Sequence, residues 1–411
     1  MIPLLKGINV LEMSSVVMGP FVGQILADLG ADVIKIEPLS GDIARETHPS
    51  PVKGLGALYL NNNRNKRVIA LDIKHPAGSE VAKRLLKKSD VFLHNMREEA
   101  AERVGFGYAA AKAINPKIIY CAAIGYGQRG RYRDKPAYDD VIQAASGLAG
   151  LSQYLGNDPQ FFPTIVADKV GALYAVYGIL AALVARAQGH DESIKVEMSM
   201  FEALASFVLN EHLAGGTFTD TDPSVGYHRI LSPNRRPYKT SDGWIVVLPY
   251  TFNQWTSFFR EVGRTDILES GWLQDSTERS RRVNYLYGEI AKSLTDRSTD
   301  EWHAKLSKLD IPCSRVNSVA DLLEDPHLED VGFFKLNGEF PPEVKRAIPQ
   351  PVQFTGIDPQ PDKAAPPLGA NTREILRACG YDGSEIEALL ARGAVTESSH
   401  PETGQRQATK E

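Results

Sequence analysis

The chain is poor in cysteine: Cys121, Cys313 and Cys379 stand far apart in 411 residues with no paired spacing. Neither a disulfide framework nor a zinc site is expected, and a reducing cytoplasmic location fits best. The nine histidines form no H-E-x-x-H, so no metal is expected, and no G-x-S-x-G marks a serine hydrolase. Positive charge is also in short supply. A formal net charge of -5 argues against a nucleic-acid partner. The start, "MIPLLKGINVLEM", has no basic region leading into an apolar core and cleavage site, so no export signal is expected. The longest apolar run, Val170 to Ala187, is interrupted by Gly171, Tyr174, Tyr177, Gly178 and Arg186, which suits a core helix better than a membrane span.

What is present is a globular composition, 43% hydrophobic and 24% charged, long enough for two domains. "INVLEM" (8–13) reads as a strand, "GPFVGQILADLG" (19–30) as a helix and "DVIKIE" (32–37) as the next strand. Helix 75–89, strand 90–95 and strand 117–127 continue the rhythm, which predicts an α/β fold with a mostly parallel sheet. Residues 1–215 are read as the first part of a large domain, 216–242 as a linker and 243–330 as a small α+β domain. Residues 331–370, dense in proline, are read as a return linker. Residues 371–395 complete the large domain with Asn371 as a helix cap, and 396–411 are read as a disordered tail.

The first βαβ unit lacks G-x-G-x-x-G, and Pro20 removes an N–H that would face a pyrophosphate, so a dinucleotide site is not expected. Two basic segments, with Arg64, Lys66, Arg67 and Lys74 in one and Arg97 and Arg103 in the other, lie beside strand ends and suggest a phosphorylated ligand. The polar loop 226–238, with His228, Arg229, Arg235 and Arg236, reads as solvated surface or as a hint of a dicarboxylate. Tyr138, Asp139 and Asp140 precede one apolar helix, where an acid commonly caps. Asp168 precedes another. It is either an N-cap or a carboxylate held ionised by the helix dipole and available as a nucleophile.

Six segments, "GINVLEMSSVVMGPFVGQILADLGADVIKIEPLSGD", "NKRVIALDIKHPAG", "GYGQRGRYRDKPAYDDVIQAASGL", "ADKVGALYAVYGILAALVARAQG", "IPCSRVNSVADLLEDPHL" and "PLGANTREILRACGY", together resemble the class III CoA-transferases over about residues 4–395. The resemblance implies a large Rossmann-like parallel-sheet domain built from both chain ends, a smaller inserted α+β domain, and an interlocked homodimer. It implies Asp168 as nucleophile, with Tyr138 and Asp139 in support, and CoA contacts at Leu71, Lys74, Asn95, Met96 and Arg103. Val17 and Pro38 depart from the pattern of formyl-CoA transferase, and "SPNRRPYKTSDGW" lacks its glycine run, which leaves the acyl group open.

The implied activity moves CoA from an acyl-CoA to a free carboxylic acid, through an aspartyl anhydride and an aspartyl-CoA thioester at Asp168. No tightly bound cofactor is expected, CoA being part of substrate and product. The glycine-rich turn "IGYGQRG" (124–130) is a candidate source of oxyanion donors. Racemases of the same family carry a histidine at the position of Tyr138, and a tyrosine is a poor base at neutral pH, so racemisation is the second reading. A CoA-binding protein without catalysis is the third.

Overall fold

Strands β1 (Asn9–Met13), β2 (Asp32–Glu37), β3 (Arg67–Leu71), β4 (Val91–His94), β5 (Ile119–Ile124) and β6 (Ile194–Ser199) build one parallel sheet in the order β3-β2-β1-β4-β5-β6. β4 and β5 are buried along their whole length, as parallel strands covered on both faces must be. A seventh strand, Val395–Thr396, adds antiparallel to the β3 edge, pairing Val395 with Leu71 and Thr396 with Ala70. The computed structural model describes residues 1–218 and 224–398.

The connections are helical: α1 (Met18–Asp28), α2 (Ala57–Asn63), α3 (Pro76–Lys88), α4 (Glu98–Arg103), α5 (Tyr108–Ile114), α6 (Asp139–Ala145) and α7 (Val166–Ala187). Strand order reverses between β1 and β4, which have β2 and β5 on their outer sides. That reversal is a topological switch point, and open α/β sheets bind ligands beyond the carboxyl ends of their strands there. By length and composition α7 could cross a bilayer. One of its faces instead packs inward: a Cβ on Gly171 would meet Met18 Sδ at 3.2 Å and Met198 Sδ at 3.3 Å.

Two compact units divide the chain. The first takes residues 1–146, 163–205 and 333 onward, and the second takes 147–162 and 206–332. In the second, the helix Phe252–Glu261 starts at a Thr251 capping box and the helix Thr299–Lys308 at a Ser298 capping box. Trp255, Phe258, Phe259, Tyr287 and Trp302 fill its core beside a three-stranded antiparallel sheet. This division differs from the sequence boundaries. Residues 147–162 and 206–215 join the second unit, where Tyr154 lies beside Gly226.

Residues 333–370 join the first unit and are pinned to it: Tyr59 Oη donates to the Pro366 carbonyl at 3.1 Å and Lys363 N to Asn65 Oδ1 at 2.7 Å. Asn371 stands at a helix N-cap, yet its side-chain oxygen accepts the Val68 N–H at 3.0 Å instead of a helical one. The expected tail begins later than 396, since Thr396 is in a strand; residues 399–411, like 219–223 of the expected linker, lie outside the described residues.

Candidate active site

Asp168 is the third residue of α7, one turn after the N-cap Ile165, which has no side-chain cap. It therefore does not cap its own helix. The cap comes from 29 residues earlier: Asp139 Oδ1 accepts the Asp168 N–H at 3.0 Å, occupying one of the free donors of the first turn. Asp139 opens α6, and Gln143, one turn on, donates Nε2 to Asp139 Oδ2 at 2.7 Å and to the Thr164 carbonyl at 3.2 Å. Two helix starts are thereby bound to each other. Gln143 escaped the sequence reading, although its i, i+4 spacing from Asp139 on a predicted helix is a usable signal.

Asp168 lies one turn before Gly171 on the same face, the face that meets Met18 at the start of α1. This sets it at the carboxyl edge of the sheet. Its carboxyl is half-buried, and burial, with the Asp139 carboxylate adding to it, pushes its pKa up to about 7. Burial and Asp139 thus oppose the ionisation that the helix dipole is expected to favour. Tyr138, the N-cap of α6, is 77% exposed and points no hydroxyl at a described partner.

Beneath the β1–α1 turn lies a buried ionic network. Lys35 Nζ meets Asp42 Oδ2 at 2.7 Å and Glu12 Oε1 at 3.5 Å, Lys66 Nζ meets Glu12 Oε2 at 2.8 Å, and all four side chains are essentially inaccessible. Burial pushes the Lys66 ammonium down to about 8. Burial also disfavours the Asp42 charge, but Lys35 and two backbone N–H groups outweigh it and keep that carboxyl below its ordinary range. Asp42 accepts the Val16 N–H with both oxygens, at 3.1 and 3.2 Å. Val16 has φ +70°, a left-handed conformation costly for a β-branched residue, at roughly 1–3 kcal/mol. The network holds this strained turn, and the buried Val17 after it, at the switch point.

The basic segments part company. Arg64 pairs with Asp28, Lys66 with Glu12, and Arg67 with Asp32 and Glu374, so these three are structural and do not converge on a ligand. Sequence could not show this because their acid partners come from α1, β1 and β2. Lys74, just past β3, and Arg97 and Arg103, past β4, are exposed and make no ion pair among the described residues. Leu71 is buried at the end of β3. Asn95 clamps Ser15 across the β1/β4 gap, accepting its N–H at 3.1 Å and donating to its carbonyl at 2.9 Å. Met96 packs half-buried against a core cluster that includes Leu71 and Phe92.

The glycine-rich turn is also committed. Gly127 N–H donates to both oxygens of Glu202, at 3.2 and 3.3 Å, and Gln128 N–H to Glu197 Oε1 at 2.9 Å, so these two donors do not face an oxyanion. A Cβ at Gly127 would meet Glu202 Oε1 at 2.3 Å, so a larger residue would have to displace that carboxylate from the turn. In the second unit, Arg229 lies over the Tyr250 ring at 4.4 Å and donates to Tyr287 Oη at 3.2 Å, giving it a packing role within that unit.

The family model for CoA-transferase family III matches residues 5–372. The (R)-2-hydroxy-4-methylpentanoate CoA-transferase of Clostridioides difficile is 30% identical over 393 residues, covering 93% of this chain and 97% of that one. The succinate–glutarate CoA-transferase of Agrobacterium fabrum is 28% identical over 393 residues, with coverages of 91% and 95%. Among solved structures, a CaiB/BaiF family protein from Brucella suis superposes with a TM-score of 0.78 at 27% identity, covering 92% of this chain and all of its own.

Proposed function

The chain belongs to CoA-transferase family III and is a CoA-transferase, and from that premise we propose that Asp168 is its covalent nucleophile. The observation that carries the reading is the half-buried Asp168 carboxyl at the start of α7, its peptide fixed by Asp139 at the carboxyl edge of the sheet.

A carboxylate oxygen of Asp168 attacks the acyl-CoA carbonyl and expels CoA thiolate, leaving a mixed anhydride. The thiolate attacks the aspartyl carbon of that anhydride, releasing the donor acid and forming an aspartyl-CoA thioester. The acceptor carboxylate displaces the thiolate from the thioester, and the thiolate then attacks the acceptor's acyl carbon. Acyl-CoA of the acceptor leaves and the Asp168 carboxylate is restored. Protons balance without a base, so a tyrosine at 138 is no handicap. Asp139 has a positioning role through the Asp168 N–H. Lys74 and Arg103 serve the CoA phosphates, with Leu71, Asn95 and Met96 shaping the floor between the ends of β3 and β4.

In further parts of this proposal the second unit is an inserted domain, the enzyme is cytoplasmic, and two copies interlock. Supporting the last, Leu173, Tyr177 and Val184 leave an apolar stripe on the outer face of α7 exposed in the single chain.

The test is trapping. Hydroxylamine added with acyl-CoA should leave a hydroxamate on the peptide holding Asp168, visible by mass, and its absence during active turnover would remove the nucleophile assignment. Deuterium exchange at the α-carbon of a 2-methylacyl-CoA in heavy water would instead favour racemisation.

A further inference from the structure

A cavity of about 330 Å³ opens beside the glycine-rich turn, lined by Tyr126, Arg131, Tyr132, Phe201 and Glu202 with Gly127 and Gly130. Three rings make its wall: Tyr126 lies 5.6 Å from Tyr132 and 5.5 Å from Phe201, and Tyr132 lies 6.3 Å from Phe201. Arg131 is exposed at the rim and makes no ion pair or side-chain hydrogen bond among the described residues. Lys135 brings a second cation, its Nζ 3.9 Å above the Tyr132 ring. The one carboxylate in the lining, Glu202, is already bonded to Gly127 N–H and to Ser199 Oγ. Two cations without an ion pair among the described residues, one of them stacked on Tyr132, against one engaged carboxylate in the lining leave a local positive excess in a protein of net charge -5.

The segment that forms this cavity doubles back on itself. Gly125, next to Tyr126, touches Ala137, where a Cβ would sit 2.2 Å from the Ala137 Cβ. Two residues on is Asp139, the partner of Asp168. The turn that lines the cavity therefore returns beside the start of α6, whose Asp139 holds the Asp168 N–H. At this size the cavity is at the small end of ligand pockets, roughly 300–1,000 Å³, and suits a small acid and not the whole of CoA.

Resting on the transferase reading, we propose that this cavity binds the non-reacting end of the acceptor acid and selects dicarboxylic acids with an apolar chain. The rings cover the hydrocarbon, Arg131 and Lys135 take the distal carboxylate, and the proximal carboxylate is left free to attack at Asp168. Binding of a remote group then assists reaction at the other end.

The experiment compares adipate with hexanoate as acceptors for the full-length enzyme and for Arg131→Gln, an exposed change that spares the core. The expected result is a lower KM for adipate than for hexanoate in the unaltered enzyme. Arg131→Gln should raise the adipate KM tenfold or more, leaving the hexanoate KM, the acyl-CoA KM and hydroxamate formation at Asp168 unchanged. Phe201→Leu should raise the KM for both acids. Equal use of the two acids, an equal effect of Arg131→Gln on both, or an effect on the acyl-CoA KM would each overturn the proposal. If the unaltered enzyme forms no hydroxamate, the nucleophile reading falls on its own. Calorimetric binding of adipate to the unaltered protein and to Arg131→Gln still decides the cavity, with equal affinity counting against it.

Discussion

Asp139 holds the peptide N–H of Asp168 at 3.0 Å while its own charge opposes ionisation of the Asp168 carboxyl. One side chain thus fixes the Asp168 peptide and restrains the ionisation of its carboxyl. With the Asp168 pKa at about 7, set first by burial and then by Asp139, the rate of the acyl-CoA half-reaction should rise with pH through 7 and level off above it. Asp139→Asn keeps an oxygen for the N–H but removes the charge, so this acid limb should move to lower pH. A pH profile of burst-phase acylation checks both; an unmoved limb would count against the coupling.

Asp168→Asn should cut transfer by about 10³-fold or more, as expected when a covalent nucleophile is lost. Its effect on stability has a definite sign. A carboxyl raised from 3.8 to about 7 on folding makes the native state bind more protons between those values, so stability falls as pH rises through that window. Asparagine has no such penalty. Thermal unfolding should show Asp168→Asn gaining on the unaltered protein at pH 8 and gaining less at pH 5.

Lys74→Gln and Arg103→Gln should each raise the KM for acyl-CoA about tenfold with little change in kcat, the loss of one phosphate-bound cation being worth about 1.4 kcal/mol. Arg67→Gln, whose guanidinium is spent on Asp32 and Glu374, should leave that KM unchanged. Initial-rate kinetics at fixed ionic strength separates the two classes.

Lys66→Met leaves Glu12 buried with one of its two cations gone, and should destabilise by roughly 3–5 kcal/mol. Adding Glu12→Gln should recover part of that loss, because the stranded charge goes with it. Urea unfolding of the single and double variants measures the recovery.

Much of the scaffold was legible because its strands are short apolar runs bounded by turn formers: "DVIKIE" was expected at 32–37 and found as Asp32–Glu37. Asp168 and Asp139, which the fold brings together, were legible as two acids at helix starts. Their relationship was not, because a cap donated from another helix leaves no local pattern. The same blindness turned Arg64, Lys66 and Arg67 into apparent ligands. Each is buried or shielded by an acid about 35 to 55 residues earlier, and charge next to a strand end looks alike whether it faces solvent or a buried carboxylate. Residues 147–162 were misplaced for a related reason, since Tyr154 meets Gly226 only in the folded chain.

The two-residue strand Val395–Thr396 has a consequence for the order of assembly. It closes the β3 edge, and Thr372 Oγ1 locks it by donating to the Thr396 carbonyl at 2.7 Å. On the ribosome β3 emerges more than 300 residues before its last neighbour. Until then Ala70 and Leu71 present unpaired backbone, the kind of edge that recruits other chains. Protection of the nascent sheet therefore depends on a segment made more than 300 residues later. A chain stopped after residue 392 should form the same parallel strands and yet aggregate during synthesis, which light scattering in a cell-free translation would register.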